Sequence, residues 1–146
     1  MLKIKAGLSR LFILLFNLFI PPNKKQKMDI SQEIKKLKKL PGFAEQVGMI
    51  LIHNGTVRAW SRKREGLVKK LKVKPNYHLI EKLVQQYEQK PGIFKIIVNA
   101  KEGEFLPGDD LLFIIVAGDI REHVKPVLSE LLDEIKSKAM DKTEVI

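Results

Sequence analysis

The sequence predicts an α+β fold in a single domain, with strands and helices interleaved along the chain. Apolar runs rich in β-branched residues occur at 47–52, 94–98 and 111–117, and such runs are typical of buried strands. Segments with apolar residues at helical spacing precede, separate and follow them. The 146 residues suffice for one buried core, and no internal repeat indicates a second.

Two amphipathic helices are predicted in the first two thirds of the chain. The first follows Asp29 or Ser31, either of which can cap it, and it ends at Pro41-Gly42. The second follows the capping residue Asn76 and ends at Pro91-Gly92. In each helix the apolar residues lie on one side.

The strand at 47–52 is predicted to turn through Asn54-Gly55 and to place Arg58 just beyond the turn. A basic loop follows from 62 to 74 and can include a strand around 67–73. A guanidinium has a planar set of donors that suits an anion. Taken alone, this segment is explained more simply by a strand edge whose basic loop only keeps the surface soluble.

The C-terminal third predicts a central strand followed by a long helix. The turn at 107–110 leads into 111–117, whose unbroken apolar character indicates burial on both faces. The helix is expected to start between Arg121 and Lys125, and Pro126 indicates that the first turn lies there.

The net charge of +10 is unevenly distributed along the chain. Residues 1–27 carry +6, from six basic residues and no acidic one, and residues 28–74 carry +8, from twelve basic and four acidic residues. Residues 75–146 carry −4, from nine basic and thirteen acidic residues. The cationic half is expected to attract phosphates, carboxylate tails or an acidic partner surface.

Residues 1–27 form a basic and apolar N-terminal extension, distinct from the domain at 28–146. A ten-residue apolar run at 11–20 follows three basic residues, as in a secretory signal, but no small-residue cleavage site follows it. The run is also short for a membrane span. An interfacial anchor, a packing helix or translated upstream sequence remain possible, and we favour the last because Met28-Asp29 resembles a natural start.

Few residues suggest catalysis directly. Cysteine is absent, which excludes disulfides, zinc-thiolate sites and cysteine nucleophiles. No glycine-rich phosphate loop or metal-ligand spacing is present, so we expect neither a metal nor a bound cofactor. His53 can reach a ligand near Arg58, although a structural role is the simpler interpretation, and His78 and His123 are expected on helix surfaces.

Four further cations follow the central strand. Arg121 stands at the opening of the last helix, where backbone amides favour anions. Lys136 and Lys138 stand at its end and Lys142 in the tail beyond it. Lysines at a helix C-terminus ordinarily compensate the helix dipole, so these residues are of interest only together with Arg58.

From about Met28 to Glu144 the chain resembles the large, catalytic subunit of molybdopterin synthase. The matching stretches keep their order and spacing, and they lie at 47–58, 102–110, 119–122 and 131–139. The resemblance implies an α/β-hammerhead fold with a mixed, largely antiparallel sheet and flanking helices. It also implies a cytoplasmic homodimer that binds two small ubiquitin-like subunits as a heterotetramer, with pockets that can draw residues from both large subunits.

In that family, the Gly-Gly thiocarboxylate of the small subunit donates sulfur to a cyclic pterin phosphate, giving the molybdopterin dithiolene. By resemblance, Lys136 is the essential catalytic lysine and Lys142 supports it. Arg58 and Arg121 would bind the phosphate, with His53 and Lys138 as further substrate-binding residues. The pterin is a substrate, and sulfur comes from the partner.

The chain departs from the family pattern around the pocket. The family's histidine before Arg121 is Ile120 here, and Ala59-Trp60-Ser61 replaces an Asn-His-Asn. Met140-Asp141 replaces a Pro-Phe-Trp, one residue shorter, before Lys142. A non-catalytic relative that keeps the dimer and binds the small subunit is therefore the first alternative. A nucleic-acid binder using residues 58–74 and a membrane-associated protein using residues 8–20 are the others; we expect neither partner.

Overall fold

The structure is a computed structural model that describes residues 28–146, so the predictions for residues 1–27 lie outside the described part. Its elements, in chain order, are α1 (Ile30–Lys38), α2 (Phe43–Gln46), β1 (Met49–Thr56), β2 (Lys70–Pro75), α3 (Tyr77–Glu88), β3 (Ile93–Ala100), β4 (Gly103–Phe105), β5 (Asp110–Gly118), α4 (Arg121–Glu134), a π-helical turn (Ile135–Ala139) and β6 (Met140–Val145). The predicted α+β class is confirmed.

Both predicted helix caps form. The Asp29 carboxylate accepts a hydrogen bond from the backbone N–H of Gln32 at 3.3 Å, and the Asn76 amide oxygen accepts one from Leu79 at 3.1 Å. Each satisfies one of the backbone donors that a helix start leaves without an internal partner. The two helices therefore begin where their capping residues predicted.

The first sheet has the order β1-β5-β3, with both pairings antiparallel. Its central strand β5 is buried on both faces, as the apolar run predicted. One face, with Leu112, Ile114 and Val116, packs in the same core as residues of α3 and α4. Ile115, on the opposite face, is also completely buried.

The second sheet has the order β4-β2-β6, again antiparallel. Leu71 and Val73 of β2 are buried, whereas Lys72 and Lys74, which alternate with them, are exposed, so the sheet has an inner and an outer face. The strand predicted around 67–73 is present but begins and ends later. The expected antiparallel strands are thus divided between two sheets.

The predicted turn at Asn54-Gly55 is wrong, because β1 runs through it to Thr56. Asn54 pairs with Phe113 and Gly55 with Leu112, and the register shifts only between Gly55 and Thr56. An Asn-Gly pair makes a hairpin turn when its two flanking strands pair with each other. Here β1 pairs with the distant β5, and a β-bulge at its end is the result.

The C-terminal tail is also a strand, which the sequence analysis did not predict. β6 pairs with β2 over six residues, from Lys70↔Val145 to Pro75↔Met140. Lys142 lies opposite Val73, and directly opposed residues share a face of a sheet. Lys142 therefore belongs to the inner face of the second sheet.

The last helix begins at Arg121, within the predicted interval, but Pro126 lies inside the helix, beyond its first turn. Because proline lacks an N–H, the carbonyl of Glu122, four residues earlier, has no helical partner there.

Within residues 28–146, no helix is both long enough and apolar enough to span a membrane.

Candidate anion-binding site

His53 lies on the face of β1 that packs towards the helices. It pairs with Ile114, whose side chain is completely buried in the core between the sheet and the helices. Its Nε2 atom is buried and has no hydrogen-bond partner among residues 28–146. A Cβ atom at Gly55 would lie only 3.0 Å from this nitrogen. The glycine in β1 thus leaves room for the imidazole of His53.

Arg58 is held close to the end of β1 by the turn that precedes β5. The backbone N–H of Val57 donates to the carbonyl of Asp109 at 2.9 Å, and the carbonyl of Val57 accepts from Gly108 at 2.8 Å. Val57 itself is buried. The position of Arg58 is therefore determined by a buried neighbour and two backbone hydrogen bonds.

Lys136 lies in the π-helical turn that ends α4. Ile135 and Ala139, which bound this turn, are almost completely buried. The carbonyl of Ala139 also accepts a hydrogen bond from the backbone N–H of Asn76 at 2.8 Å. The turn is anchored at both ends, so it presents the exposed Lys136 from a fixed backbone. Turns of this type occur frequently at functional sites.

Four side chains of these elements are connected by their electrostatic effects on one another. Burial lowers the pKa of His53 most, and the positive charges of Lys136 and Lys142 lower it further. Burial also lowers the pKa of Lys142, followed by the charges of Lys136 and Arg58. Lys142 is exposed as a residue, so this burial concerns the surroundings of its ammonium group. We call His53, Arg58, Lys136 and Lys142 the cationic cluster.

The charges that act on His53 and Lys142 from the described residues are all positive. Within residues 28–146, every charge that shifts the pKa of His53 or of Lys142 is a cation. Like charges held together disfavour their own ionised forms, and an anion placed among them relieves this repulsion. The arrangement can therefore bind an anion and stabilise negative charge that develops during a reaction.

Two predicted substrate-binding residues do not join this cluster within one chain. The Nε atom of Arg121 lies 3.2 Å from the Glu122 carboxylate, and its side chain is 78% exposed. Helix geometry separates Arg121 from Lys136 by about 20 Å along α4. Lys138 is exposed and lies 3.7 Å from Glu134.

The other two histidines occupy helix surfaces. His78 is exposed on α3. His123 contacts Asp119 at 2.8 Å between Nδ1 and Oδ1, and this contact is the largest cause of the lowered pKa of Asp119. No group of three or more metal-ligating side chains occurs in the part of the chain that the structure describes.

One residue of the site, Trp60, was noted in the sequence without a function. The guanidinium carbon of Arg58 lies 4.1 Å from the centre of the indole ring, a distance typical of a cation–π contact. The spacing of two residues between an arginine and the sole tryptophan was the available signal. This signal was not used because the segment at 58–74 was interpreted mainly through its basic residues.

A cavity of about 310 Å³ lies on the outer face of the second sheet. Its lining includes Lys72, Lys74, Glu104 and Asp141. The Glu104 carboxylate lies 3.0 Å from Lys70 and 3.8 Å from Lys72, so positive and negative charges are paired here. This makes the cavity less suited to an anionic ligand than the cationic cluster.

The lowered pKa of His53 leads to a testable pH dependence. The imidazole is expected to titrate below its ordinary value of 6.5, which NMR of the ring protons can measure. Between pH 6.5 and the lower pKa of the folded state, His53 binds more protons in the unfolded chain than in the folded one. The free energy of unfolding should therefore decrease as the pH is lowered through this range. Lys136→Ala removes one of the two cations and should raise the midpoint. A midpoint at or above 6.5 in the unmodified chain would contradict this prediction.

The fold and the cationic cluster define a small α+β protein built to hold anionic groups. A family comparison is more specific: the family described as MoaE protein matches residues 24–138. The chain belongs to this family, which confirms the resemblance to the molybdopterin synthase large subunit that its sequence indicated.

Solved structures of low sequence identity share the fold. Molybdopterin synthase from Staphylococcus aureus has a TM-score of 0.68 at 15% identity, covering 82% of this chain and 86% of that one. The MoaE protein from Burkholderia ambifaria has a TM-score of 0.64 at 18% identity, with coverages of 82% and 81%. The complex of subunits 1 and 2 of the molybdopterin-converting factor from Helicobacter pylori gives 0.60 at 18%, with coverages of 81% and 80%. A comparison with curated protein sequences found no significant match.

Proposed function

We propose that this chain is the large subunit of a molybdopterin synthase and transfers sulfur from the C-terminal thiocarboxylate of a small ubiquitin-like subunit to a cyclic pterin phosphate. Membership of the MoaE family supports a role in molybdenum cofactor biosynthesis. The observation that carries the proposal is that the charges of Arg58 and Lys136, from two other parts of the chain, both lower the pKa of Lys142. A pterin phosphate and a thiocarboxylate are both anions, so the reaction needs several fixed cations.

The residues divide naturally between binding and reaction. The Arg58 guanidinium would hold the phosphate by charge-assisted hydrogen bonds. The ammonium group of Lys136 would polarise the thiocarboxyl carbonyl and stabilise negative charge there, and Lys142 would support it. Each transfer forms a carbon–sulfur bond on the pterin in place of a carbon–oxygen bond, whose oxygen leaves as the freed end of the phosphate ester in one transfer and as water in the other. Water then hydrolyses the acyl carbon–sulfur bond of the tail, so the sulfur stays on the pterin and the tail departs as a carboxylate.

The partner is proposed on similar grounds. The Helicobacter pylori structure is a complex of two different subunits of a molybdopterin-converting factor, and this chain shares its large-subunit family. A thiocarboxylate tail from a small subunit would bring the sulfur, which this chain cannot carry itself because it has no cysteine.

The test is reconstitution from purified components. The full chain, a thiocarboxylated small subunit and the cyclic pterin phosphate are incubated together, and dithiolene is measured as its oxidised fluorescent derivative. Product that depends on all three components supports the proposal. A stable complex with the small subunit but no product would instead support the non-catalytic alternative, which the change to Ile120 makes worth testing.

We further propose that Arg121 acts in the pocket of a second copy of the chain. It lies about a helix length from Lys136 in its own chain, and its strongly exposed side chain is free of the core. Arg121→Ala and Lys136→Ala should each be inactive alone. When the two variants are dissociated and mixed, about half of the dimers that re-form contain one copy of each variant. One of the two pockets in such a dimer is intact, so roughly a quarter of the activity should return. If the mixture stays inactive although mixed dimers form, both residues act within one chain.

A further inference from the structure

Trp60 is more than half exposed, although its indole ring contacts Arg58. The Arg58 guanidinium covers one face, with 4.1 Å between its central carbon and the ring centre. The residue is nevertheless 56% exposed. Since one face is covered, this exposure must come largely from the other face and the ring edge.

The backbone around Trp60 is held in place. Trp60 forms an isolated antiparallel bridge with Leu67, and the backbone N–H of Val68 donates to the carbonyl of Ala59 at 2.8 Å. Between these ends, the Ser61 hydroxyl accepts hydrogen bonds from the backbone N–H groups of Lys63 and Arg64. The loop is therefore a structured turn.

This loop is also attached to the strand that carries Lys142. A guanidinium nitrogen of Arg64 donates to the carbonyl of Glu144 at 2.9 Å, and the N–H of Lys69 donates to the carbonyl of Val145 at 2.7 Å. Both acceptors belong to β6. Trp60 and Lys142 are thus positioned by the same pair of connected segments.

The chemistry of the neighbourhood restricts the ligand to a flat anion. Arg58 contacts Trp60 and also acts electrostatically on Lys142. The uncovered indole face is the one opposite Arg58, so a ligand with its charged group among these cations reaches that face if its remaining part extends around the edge of the indole. A planar, unsaturated ring system gains most from stacking there.

We propose that Trp60 is the stacking surface for the heterocycle of the substrate, and that it selects planar ligands while Arg58 and Lys142 select their negative charge. This inference rests on the proposed function, which supplies a planar pterin with a phosphate. Alone, the contact between Arg58 and Trp60 would be an ordinary surface cation–π pair, and the experiment must separate these roles.

The experiment uses the intrinsic fluorescence of Trp60, the sole tryptophan of the chain. The full chain is titrated with a stable pterin monophosphate, with the same pterin without phosphate, and with ribose 5-phosphate, with inner-filter corrections. We expect saturable quenching by the pterin monophosphate, with weaker binding of either fragment. Binding of the pterin monophosphate without any change in tryptophan emission would overturn the inference.

Variants measured by calorimetry give the second readout. Trp60→Ala should weaken binding at least about fivefold, whereas Trp60→Phe, which keeps a ring, should stay within about threefold. Leu106→Ala is the matched control, because Leu106 is another exposed apolar residue, at 61%. In the reconstituted reaction, Trp60→Ala should raise KM for the pterin while leaving kcat nearly unchanged. Equal affinity of Trp60→Ala and the unmodified chain would refute the stacking role.

The outcomes also distinguish this inference from the proposed function. Sulfur transfer in which Trp60→Ala leaves both kcat and the KM for the pterin unchanged would overturn the inference alone. An unmodified chain that binds no pterin monophosphate and forms no dithiolene would overturn both. Steeply salt-dependent binding of a single-stranded oligonucleotide that requires Trp60, without pterin binding, would also overturn both and favour the nucleic-acid interpretation.

Discussion

Replacement of Lys136 by alanine is expected to lower the rate of dithiolene formation by about 10²–10³-fold, the usual effect of removing one preorganised donor that stabilises developing charge. Lys136 is presented by a turn whose buried ends, Ile135 and Ala139, fix its backbone. Its charge reaches both His53 and Lys142. The measurement is single-turnover dithiolene formation with saturating thiocarboxylated small subunit.

The same turn provides a control for this prediction. Lys138 has the same charge and is two residues away, but its ammonium group lies by Glu134, at 3.7 Å. Lys138→Ala should therefore keep the rate within about twofold, as most exposed substitutions do. This result would show that Lys138, which the resemblance also suggested for substrate binding, is not required. Equal losses in both variants would mean that general positive charge, rather than a placed lysine, supports the reaction.

The parts of the fold that the sequence predicted well are those determined by local chemistry. Asp29 and Asn76 start their helices because their side chains accept hydrogen bonds from nearby backbone groups. The unbroken apolar run of β5 predicted a central strand because few other environments bury both faces of a segment.

The missed parts depend on contacts between distant segments. β6 has the sequence Met-Asp-Lys-Thr-Glu-Val, which is too polar to indicate a strand, and it forms because β2 offers a matching edge. For the same reason the Asn54-Gly55 turn was wrongly predicted, since the pairing of β1 with β5 keeps it extended.

The site was predictable in composition but not in arrangement. Arg58, Lys136 and Lys142 were named from the resemblance, and the structure brings them together. Nothing local in the sequence shows that Lys142 reaches them, because its position follows from the register between β6 and β2. His53 joins them because Gly55, two residues along the same strand, leaves space for its ring.

Gly48→Ala is expected to destabilise the fold by about 3 kcal/mol, at the upper end of the usual cost of overfilling a packed position. A Cβ atom at Gly48 would lie 2.1 Å from the carbonyl oxygen of Asp119. This oxygen belongs to the backbone, so no side chain can rotate to relieve the collision. The N–H of Gly48 also donates to the carbonyl of Gly118 at 2.8 Å, and moving the two segments apart would break this bond. The thermal midpoint should fall by roughly 10 °C for a chain of this size.

Gly108→Ala separates the collision from the conformational preference of glycine. Gly108 has a φ of +93° but nothing within 4 Å of its added Cβ, so its substitution should cost only the strain of a left-handed residue, about 1–2 kcal/mol. Gly48 joins the start of β1 to the residues that lead into α4, and its loss should also reduce sulfur transfer by displacing Arg121. Calorimetric unfolding of both variants tests this prediction. A smaller decrease in the free energy of unfolding for Gly48→Ala than for Gly108→Ala would show that the start of β1 and the residues before α4 can move apart without cost.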